Sequence, residues 1–154
     1  TTGLTRRYGA LTAVDHLNIR VEKGELFALL GVNGAGKTTT IRMLCCLTKP
    51  TEGDATLSGA SIVREPMHVK EKIGVSPQET AVAANLTAEE NLRLMCGMHG
   101  LSRAETDEKV RALSERFHLN EVLSRRAGKL SGGWQRRLSI AMALVSDPEI
   151  LFLD

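Results

Sequence analysis

A glycine-rich segment from Gly31 to Thr38 carries the residue types that bind phosphate. Its sequence, GVNGAGKT, satisfies the P-loop pattern G-x-x-x-x-G-K-[ST]. The glycines let the backbone curl so that successive N–H groups point at phosphate oxygens, and the helix that follows adds the positive end of its dipole. Lys37 would then reach the β- and γ-phosphates, and the Thr38 hydroxyl would bind Mg²⁺. The segment therefore predicts a nucleoside triphosphate site.

The elements that must position this loop are indicated by its two flanks. Leu26 to Leu30 is a continuous apolar run, which is typical of a strand covered on both faces. From about Lys37 to Leu47 the apolar residues form one stripe, which predicts a helix. The alternative is a chance match in a glycine-rich turn, and the flanks disfavour it because a phosphate loop joins a strand to a helix.

A second predicted helix begins at Ser131. Serine is a preferred N-cap residue, and Gly132 and Gly133 leave the first N–H groups of the helix unobstructed. Such a helix start suits a phosphate group. A Ser-Gly-Gly turn alone is usually no more than the start of a helix, so this role depends on the presence of the P-loop in the same chain.

The composition is that of an ordinary globular protein. Of 154 residues, 42% are hydrophobic and 25% are charged, and the formal net charge is +2. This balance gives no argument for a nucleic acid or an anionic membrane as partner. The longest apolar runs are far shorter than the ~20 residues of a membrane span. Because the first residues also lack the apolar core of a signal peptide, we expect a cytoplasmic protein.

Strand patterns occur elsewhere in the chain. Leu17 to Val21 alternates apolar with polar residues, which predicts a half-buried strand. Shorter strands are expected at Ala55 to Leu57 and at Ile73 to Val75. Ile150 to Leu153 predicts a final buried strand.

Residues 87 to 127 have a helical pattern. Thr87 and Glu90 have the spacing of a capping box, and Ser102 and Glu105 repeat that spacing. These signals predict two helices between the P-loop helix and the helix that begins at Ser131.

With these motifs in place, the sequence resembles the ATP-binding cassette (ABC) family. Leu130 to Trp134 is similar to the family's signature motif, Leu-Ser-Gly-Gly-Gln, with Trp134 in place of glutamine. Ile150 to Asp154 resembles the Walker B strand, which ends in the aspartate that orders Mg²⁺. Gln78 resembles the Q-loop glutamine, and Tyr8 precedes the P-loop strand as the family's adenine-stacking aromatic does.

The resemblance implies a set of site residues. Nucleotide contacts are expected from Tyr8, Gly31, Asn33, Gly34, Ala35, Gly36, Lys37, Thr38 and Thr39. Lys37 and Gln78 are the expected catalytic residues. The signature residues acting on the ATP of a second domain would be Ser131, Gly132 and Gly133. The Mg²⁺ ligands would be Thr38, Gln78 and Asp154.

Structural alternatives stand beside several of these roles. Tyr8 could cover a sheet edge, Gln78 could be a surface amide, and Asp154 could be a turn residue that closes its strand. Trp134 lies on the apolar face of its helix, so packing is its expected role. The two arginines that follow, Arg136 and Arg137, are expected on a solvated helix face or at a partner contact.

The fold implied by the resemblance is α/β, a P-loop NTPase core with a small antiparallel β subdomain and a helical subdomain, incomplete at the C-terminus. The core would comprise Leu26 to Leu47 and Lys129 to Asp154. The antiparallel sheet would take most of residues 1 to 25 and 54 to 65. The helical subdomain, at about 87 to 128, would be inserted in the core of a single, partial ATP-binding domain over residues 1 to 154.

The function implied is that of an ATP-binding and ATP-hydrolysing subunit that powers transport across a membrane. The segments Tyr8 to Thr40 and Asn85 to Asn91 resemble the type-2, multidrug or polysaccharide exporters. Its cofactors would be ATP and Mg²⁺. Its partners would be a second ATP-binding domain, in a head-to-tail dimer, and transmembrane permease subunits at the cytoplasmic face of the membrane, with no nucleic acid.

Two other functions remain open at this stage. One is a soluble ABC ATPase acting in translation or DNA repair, and a second cassette encoded downstream would favour it. The other is a plain P-loop kinase or GTPase, which the signature-like segment from Leu130 to Trp134 disfavours.

The position of the last residue completes these expectations. Asp154 falls one place before the glutamate that family members use as general base, and the D-loop and switch histidine would come later still. We therefore expect the chain to be about the front two-thirds of an ATPase. As it stands it is expected to be nearly inactive in hydrolysis.

Overall fold

The computed structural model describes residues 1–79 and 81–154 of the chain. Within them the chain divides into two compact units, Thr1–Ile73 and Gly74–Asp154. The strands and helices are, in chain order, β1 (Thr2–Tyr8), β2 (Leu11–Leu17), α1 (Lys37–Leu44), β3 (Glu52–Asp54), β4 (Thr56–Leu57), β5 (Ala60–Ser61), α2 (Pro66–Lys72), β6 (Ile73–Ser76), α3 (Ala88–Met98), α4 (Arg103–Arg116), α5 (Gly132–Ala143) and β7 (Ile150–Leu153). Short 3₁₀ turns at Asn120–Val122 and Ala127–Lys129 connect α4 to α5.

The first unit is built on an antiparallel sheet with the strand order β2-β1-β3. Strand β1 pairs with β2 from Leu4 opposite Leu17 to Tyr8 opposite Leu11. Its other edge pairs with β3, where Thr2 lies opposite Asp54. The side chain of Leu4, on the central strand of this sheet, is completely buried.

A second hairpin in the same unit joins β4 to β5. Thr56 pairs with Ser61, and Leu57 pairs with Ala60. The two turn residues, Ser58 and Gly59, have φ angles of 47° and 85°. Positive φ at both central positions is what a tight two-residue hairpin of matching twist requires.

The strand expected at Leu17 to Val21 is wrong, because β2 ends at Leu17. Side chains replace the backbone ladder immediately after it. The Oδ1 atom of Asn18 accepts a hydrogen bond from the N–H of Gly3 at 2.8 Å. The Oγ1 atom of Thr1 accepts one from the N–H of Ile19, also at 2.8 Å. The alternating pattern therefore follows the strand instead of forming it, since β2 covers Leu11–Leu17.

The strand expected at Leu26 to Leu30 is also wrong. The segment has no strand conformation, and the side chains of Leu26 and Leu30 are 95% and 91% exposed. A strand needs backbone partners as well as apolar side chains, and within residues 1–79 and 81–154 no strand pairs with this segment. Hydrophobicity indicates which residues favour burial, but it does not supply the neighbouring strand.

The second unit has a core made by its helices. Its members are buried apolar side chains of α3, α4, α5 and the turns between them: Ala88, Leu92, Cys96, Val110, Leu113, Leu119, Val122, Ala127, Leu130, Leu138, Ala141, Met142 and Val145. Strands β6 and β7 form a two-stranded sheet in this part of the fold. The helices expected from the pattern of residues 87 to 127 are confirmed. The assignment of residues 87 to 128 as an inserted subdomain stays a prediction.

Both predicted capping boxes are present. The Oγ1 atom of Thr87 accepts a hydrogen bond from the N–H of Glu90 at 3.1 Å, and the Glu90 carboxylate accepts one from the N–H of Thr87 at 2.7 Å. Ser102 and Glu105 make the same reciprocal pair. Each box satisfies two backbone donors at a helix start, which fixes where α3 and α4 begin.

The shorter strand predictions agree with the structure. Strand β6 covers Ile73–Ser76, β7 covers Ile150–Leu153, and β4 covers Thr56–Leu57 within the segment expected at Ala55 to Leu57. In β6, a side chain at Gly74 would overlap the carbonyl oxygen of Ala143. The strand can therefore lie against the end of α5 only because this position is glycine. Across the described residues, the helices are all too short or too polar to span a bilayer.

Candidate nucleotide-binding site

The backbone of the P-loop has the conformation that its glycines allow. Gly34 and Gly36 have φ angles of 87° and 83°, in the left-handed region that favours glycine. A side chain at Gly36 would overlap the carbonyl oxygen of Ala13 on β2. Gly36 therefore meets two requirements at once, a left-handed backbone and a close approach to a strand.

Helix α1 begins directly after Gly36, as the P-loop pattern predicts. The carbonyl oxygen of Gly36 accepts hydrogen bonds from the N–H of Thr40 at 2.8 Å and from its hydroxyl at 3.0 Å. Thr40 is buried, so this double contact fixes the first turn of the helix. The helix ends at Leu44, three residues earlier than the sequence pattern indicates.

The side chain of Lys37 contacts the P-loop that precedes it. Its ammonium donates hydrogen bonds to the carbonyl oxygens of Gly31 at 2.7 Å and Val32 at 2.8 Å. The residues from Gly31 to Ala35 are exposed, and so is Thr38, while Thr39 is half-buried. The loop thus presents its backbone and one cationic side chain on an accessible surface.

Tyr8 is the last residue of β1 and is 46% exposed. The guanidinium carbon of Arg6 lies 4.5 Å from the centroid of its ring. An exposed aromatic ring at the end of a strand can either cover the sheet edge or stack on a base. Its stacking role stays a prediction.

The start of helix α5 is bare. Ser131 occupies the N-cap position, as predicted, but its side chain makes no capping hydrogen bond with the described part of the chain. Gly132 and Gly133 are exposed, and apart from their chain neighbours and the backbone of α5, no atom of the described residues lies within 4 Å of where their Cβ atoms would be. The first N–H groups of this helix are consequently open to an anion.

Trp134 is half-buried and packs against the helical core of the second unit, as its place on the apolar face predicts. The guanidinium of Arg137 lies 4.9 Å from the centroid of its ring. Arg137 itself is exposed, in agreement with the solvated face expected for it.

The ends of β6 and β7 bring Gln78 and Asp154 to one edge of their sheet. The N–H of Asp154 donates to the carbonyl oxygen of Ser76 at 3.0 Å, and Gln78 follows Ser76 by two residues. Gln78 is exposed and Asp154 is half-buried. The backbone of Asp154 therefore lies beside the end of β6, two residues before Gln78.

Arg136 is a residue that sequence reasoning misplaced. It is half-buried, and its guanidinium donates to the carbonyl oxygens of Pro77 at 2.6 Å and Asp154 at 3.2 Å. It therefore ties helix α5 to the ends of both strands. The helical pattern assigned it to solvent because it lies off the apolar stripe, and the two carbonyl acceptors leave no signal in a sequence.

Asn91 fixes the loop that leads into helix α3. Its buried side chain accepts a hydrogen bond from the N–H of Ala83 at 2.8 Å and donates to the carbonyl oxygens of Ala83 at 3.1 Å and Thr87 at 2.9 Å. A buried amide with its donors and acceptor satisfied holds the loop from residue 81 to 87 in one conformation.

Comparison with known proteins decides the family. The model of a family described as ABC transporter matches residues 14–154. The chain belongs to this family. Among ABC relatives, the probable multidrug ABC transporter ATP-binding protein YbhF of Escherichia coli (strain K12) is 40% identical over 151 residues, which are 98% of this chain and 26% of YbhF. The doxorubicin resistance ATP-binding protein DrrA of Mycobacterium tuberculosis is 40% identical over 154 residues, covering 99% of this chain and 46% of DrrA.

Solved structures of the ABC family confirm the fold class. One ATP-binding cassette, solved as a dimer in a post-hydrolysis state with ADP and Pi bound, is 26% identical and has a TM-score of 0.85. The match covers 99% of this chain and 72% of the cassette. The α/β fold with a P-loop NTPase core, predicted from the motifs, is therefore correct. This chain spans less than half the length of YbhF and of DrrA.

Proposed function

We propose that this ABC chain binds ATP within a subunit whose ATP hydrolysis powers export across a membrane. The observation that carries the proposal is the P-loop, in which two left-handed glycines place an exposed loop and Lys37 at the start of helix α1. The export role is supported by the names of relatives 40% identical to this chain, which refer to multidrug transport and doxorubicin resistance.

The phosphate groups are assigned to the P-loop. The N–H groups from Asn33 to Thr39 bind phosphate oxygens, since the loop backbone is exposed and leads into the positive end of α1. Lys37 exchanges its two carbonyl acceptors for the β- and γ-phosphates. These contacts hold the triphosphate and neutralise charge that develops on it during hydrolysis.

Mg²⁺ fits the proposed donor set. Thr38 offers a hydroxyl, Gln78 an amide oxygen and Asp154 a carboxylate, which are the hard oxygen ligands that Mg²⁺ accepts. Within residues 1–79 and 81–154, no three His, Cys, Asp or Glu side chains group closely enough to form a metal cage. The ion would polarise the phosphates, and the side chains of Thr38, Gln78 and Asp154 would hold it.

The adenine base is assigned to Tyr8. Its ring is exposed at the end of β1, and base–aromatic stacking contributes ~1–3 kcal/mol per base. Gln78 is assigned to the attacking water, a role that its exposed amide permits.

A second ATP-binding domain is the proposed partner for the start of α5. Ser131, Gly132 and Gly133 would bind the γ-phosphate of the ATP held by that domain, in a head-to-tail dimer. The bare N-terminus of α5 supports this assignment, and a cassette of similar fold has been solved as a dimer. Transmembrane permease subunits are the proposed second partner, which places the protein at the cytoplasmic face of a membrane.

The proposal is tested by finding what the complete subunit binds in cells. After mild cross-linking, the subunit is purified from both detergent-solubilised membranes and the remaining extract. We expect a polytopic membrane protein to co-purify, and ATPase activity to depend on Mg²⁺. Enrichment of ribosomes or DNA instead would contradict transport and favour an ATPase of translation or DNA repair. A marked preference for GTP over ATP would contradict the nucleotide assignment.

A further inference from the structure

The ring of Tyr8 is backed by a cation. Arg6 and Tyr8 are two residues apart on β1, and their side chains lie against each other. The guanidinium carbon of Arg6 is 4.5 Å from the ring centroid, within the range of a cation–π contact. This contact holds the aromatic ring from one side.

A second contact anchors the same guanidinium. Its Nη1 atom donates to the carbonyl oxygen of Lys49 at 2.8 Å, in the loop that follows helix α1. The side chain of Arg6 is therefore fixed between the chain after the P-loop helix and the ring of Tyr8. A ring packed against a fixed group loses less freedom when a ligand stacks on it.

The placement of Arg6 is not explained by stability alone. Its Nε atom is buried and has no hydrogen-bond partner within residues 1–79 and 81–154. A buried, unpaired donor is unfavourable, so a residue kept in such a position calls for a reason. Arg7, the next residue, differs: it pairs with the Glu52 carboxylate on β3, and its N–H donates to the Thr51 hydroxyl at 3.0 Å.

We propose that Arg6 is a positioning residue that holds the Tyr8 ring as a platform for the adenine base of ATP. The inference rests on the proposed stacking role of Tyr8 and deepens it. Arg6 acts through the ring and does not touch the phosphates. Its effect is therefore confined to ligands that carry a base.

The test compares a ligand with a base and one without. Binding of ATP and of inorganic tripolyphosphate, each with Mg²⁺, is measured by calorimetry on the complete subunit. We expect Arg6→Ala to weaken ATP binding about two- to fivefold and to leave tripolyphosphate binding unchanged. Arg6→Lys, which keeps the charge, is expected to recover part of the ATP affinity. Arg7→Ala is the matched control and should change neither affinity.

A further variant separates the cation from the anchor. Arg6→Gln retains an N–H donor for the Lys49 carbonyl but has no charge to place over the ring. We expect it to resemble Arg6→Ala in ATP binding. Wild-type ATP affinity in Arg6→Gln would overturn the proposal, since the anchor alone would then suffice.

The remaining outcomes separate this proposal from the one on which it rests. Equal losses of ATP and tripolyphosphate binding in Arg6→Ala would overturn it, because Arg6 would then act through the phosphate loop. If Tyr8→Ala weakens only ATP binding while Arg6→Ala changes nothing, the platform stands and Arg6 has no part in it. If Tyr8→Ala changes neither affinity, the stacking role itself is wrong. In the double variant Arg6→Ala/Tyr8→Ala we expect no loss beyond that of Tyr8→Ala, whereas additive losses would contradict action through the ring.

Discussion

Lys37 carries the positive charge of the P-loop, and its ammonium is already held by the carbonyl oxygens of Gly31 and Val32. The charge is therefore pre-positioned at the loop before any phosphate arrives. Hydrogen bonds to charged groups contribute about 1.5–3 kcal/mol, so their loss can be measured.

We expect Lys37→Ala to weaken ATP binding about tenfold to a hundredfold, because it removes this charged contact. Isothermal calorimetry measures the affinity directly. Lys23→Ala is the control, since Lys23 is exposed in the turn before the apolar segment and lies outside the P-loop. Equal ATP affinities in Lys37→Ala and the wild type would mean that the P-loop assignment is wrong.

Gly34 and Gly36 provide a matched pair of substitutions within one loop. Both have a left-handed backbone, but only at Gly36 would a Cβ atom overlap a neighbour, the carbonyl oxygen of Ala13. We expect Gly34→Ala to lower the free energy of unfolding by ~1 kcal/mol and Gly36→Ala by about 3 kcal/mol. Urea titration followed by circular dichroism gives both values. Similar losses in the two variants would show that the loop can move away from β2.

At the scale of elements, the helix starts of the second unit fall into two kinds. Helices α3 and α4 begin with closed capping boxes, whereas the start of α5 has an N-cap serine without a capping hydrogen bond within the described residues. Capped helix starts satisfy their own donors. The bare start of α5 is the one left available for a ligand.

We expect Ser131→Arg to abolish ATP hydrolysis in the complete subunit while ATP binding to the monomer stays unchanged. The bulky side chain would occupy the space that the γ-phosphate of the second domain needs. Phosphate release measures hydrolysis, and calorimetry measures binding. Ser124→Arg, at an exposed serine in a turn of the same unit, is the control. Hydrolysis at the wild-type rate in Ser131→Arg would rule out the proposed contact across the dimer.

The capping boxes also predict a dependence of stability on pH. The N–H of Thr87, helped by the Thr87 side chain, lowers the pKa of Glu90 from 4.5, and the hydroxyl of Ser102 lowers the pKa of Glu105. A carboxylate with a depressed pKa stabilises the fold above its unfolded pKa, and this contribution is lost as the pH falls through the folded pKa. Both boxes should therefore weaken as the pH falls below 4.5.

We expect the double variant Glu90→Gln/Glu105→Gln to lose stability less steeply than the wild type as the solution is acidified below pH 4.5. Urea unfolding over a series of pH values measures this slope. Glu108→Gln, on α4 but outside its capping box, is the control. Parallel pH profiles for the double variant and the wild type would show that the boxes do not contribute in this range.

At the scale of the whole molecule, local sequence signals predicted structure well. Features that depend on pairing between distant segments could not be predicted in this way. The capping boxes and the P-loop are set by residues within a few positions of one another, so their sequence spacing was sufficient. Leu26 to Leu30 failed because a strand depends on neighbours that its own residues do not specify. Strands β1 and β2 were not separately predicted for the same reason.

The candidate site shows the same division. Sequence motifs indicated Lys37 and Ser131, and the family resemblance indicated Asp154; Lys37 and Ser131 lie at helix starts, and Asp154 directly follows β7. Arg136 and Asn91 could not be assigned, because each acts on backbone carbonyl groups, whose positions depend on the fold. The ligand roles of the site residues stay predictions.

The secondary structure and burial also predict which segments exchange their amide protons fastest. Residues 25 to 34 lie outside any helix or strand, whereas α5 belongs to the buried helical core. In hydrogen exchange followed by mass spectrometry, we expect peptides from residues 25 to 34 to exchange first and those from α5 last. Adding MgATP should slow exchange in residues 31 to 38. Slow exchange of residues 25 to 30 without nucleotide would mean that this segment is hydrogen-bonded to another strand in solution.

The two carbonyl contacts of Lys37 bear on how the loop discriminates among anions in a cell. Free inorganic phosphate is a small competitor that offers the ammonium only one group of oxygens. An anion displaces the carbonyl oxygens of Gly31 and Val32 only if its own contacts are at least as favourable in free energy as the two hydrogen bonds that Lys37 loses. A triphosphate bound as proposed would do so, because the same molecule would also engage the loop N–H groups and the start of α1. If the proposed role of Lys37 is correct, its resting position would act as a threshold that favours long phosphate chains over single phosphates.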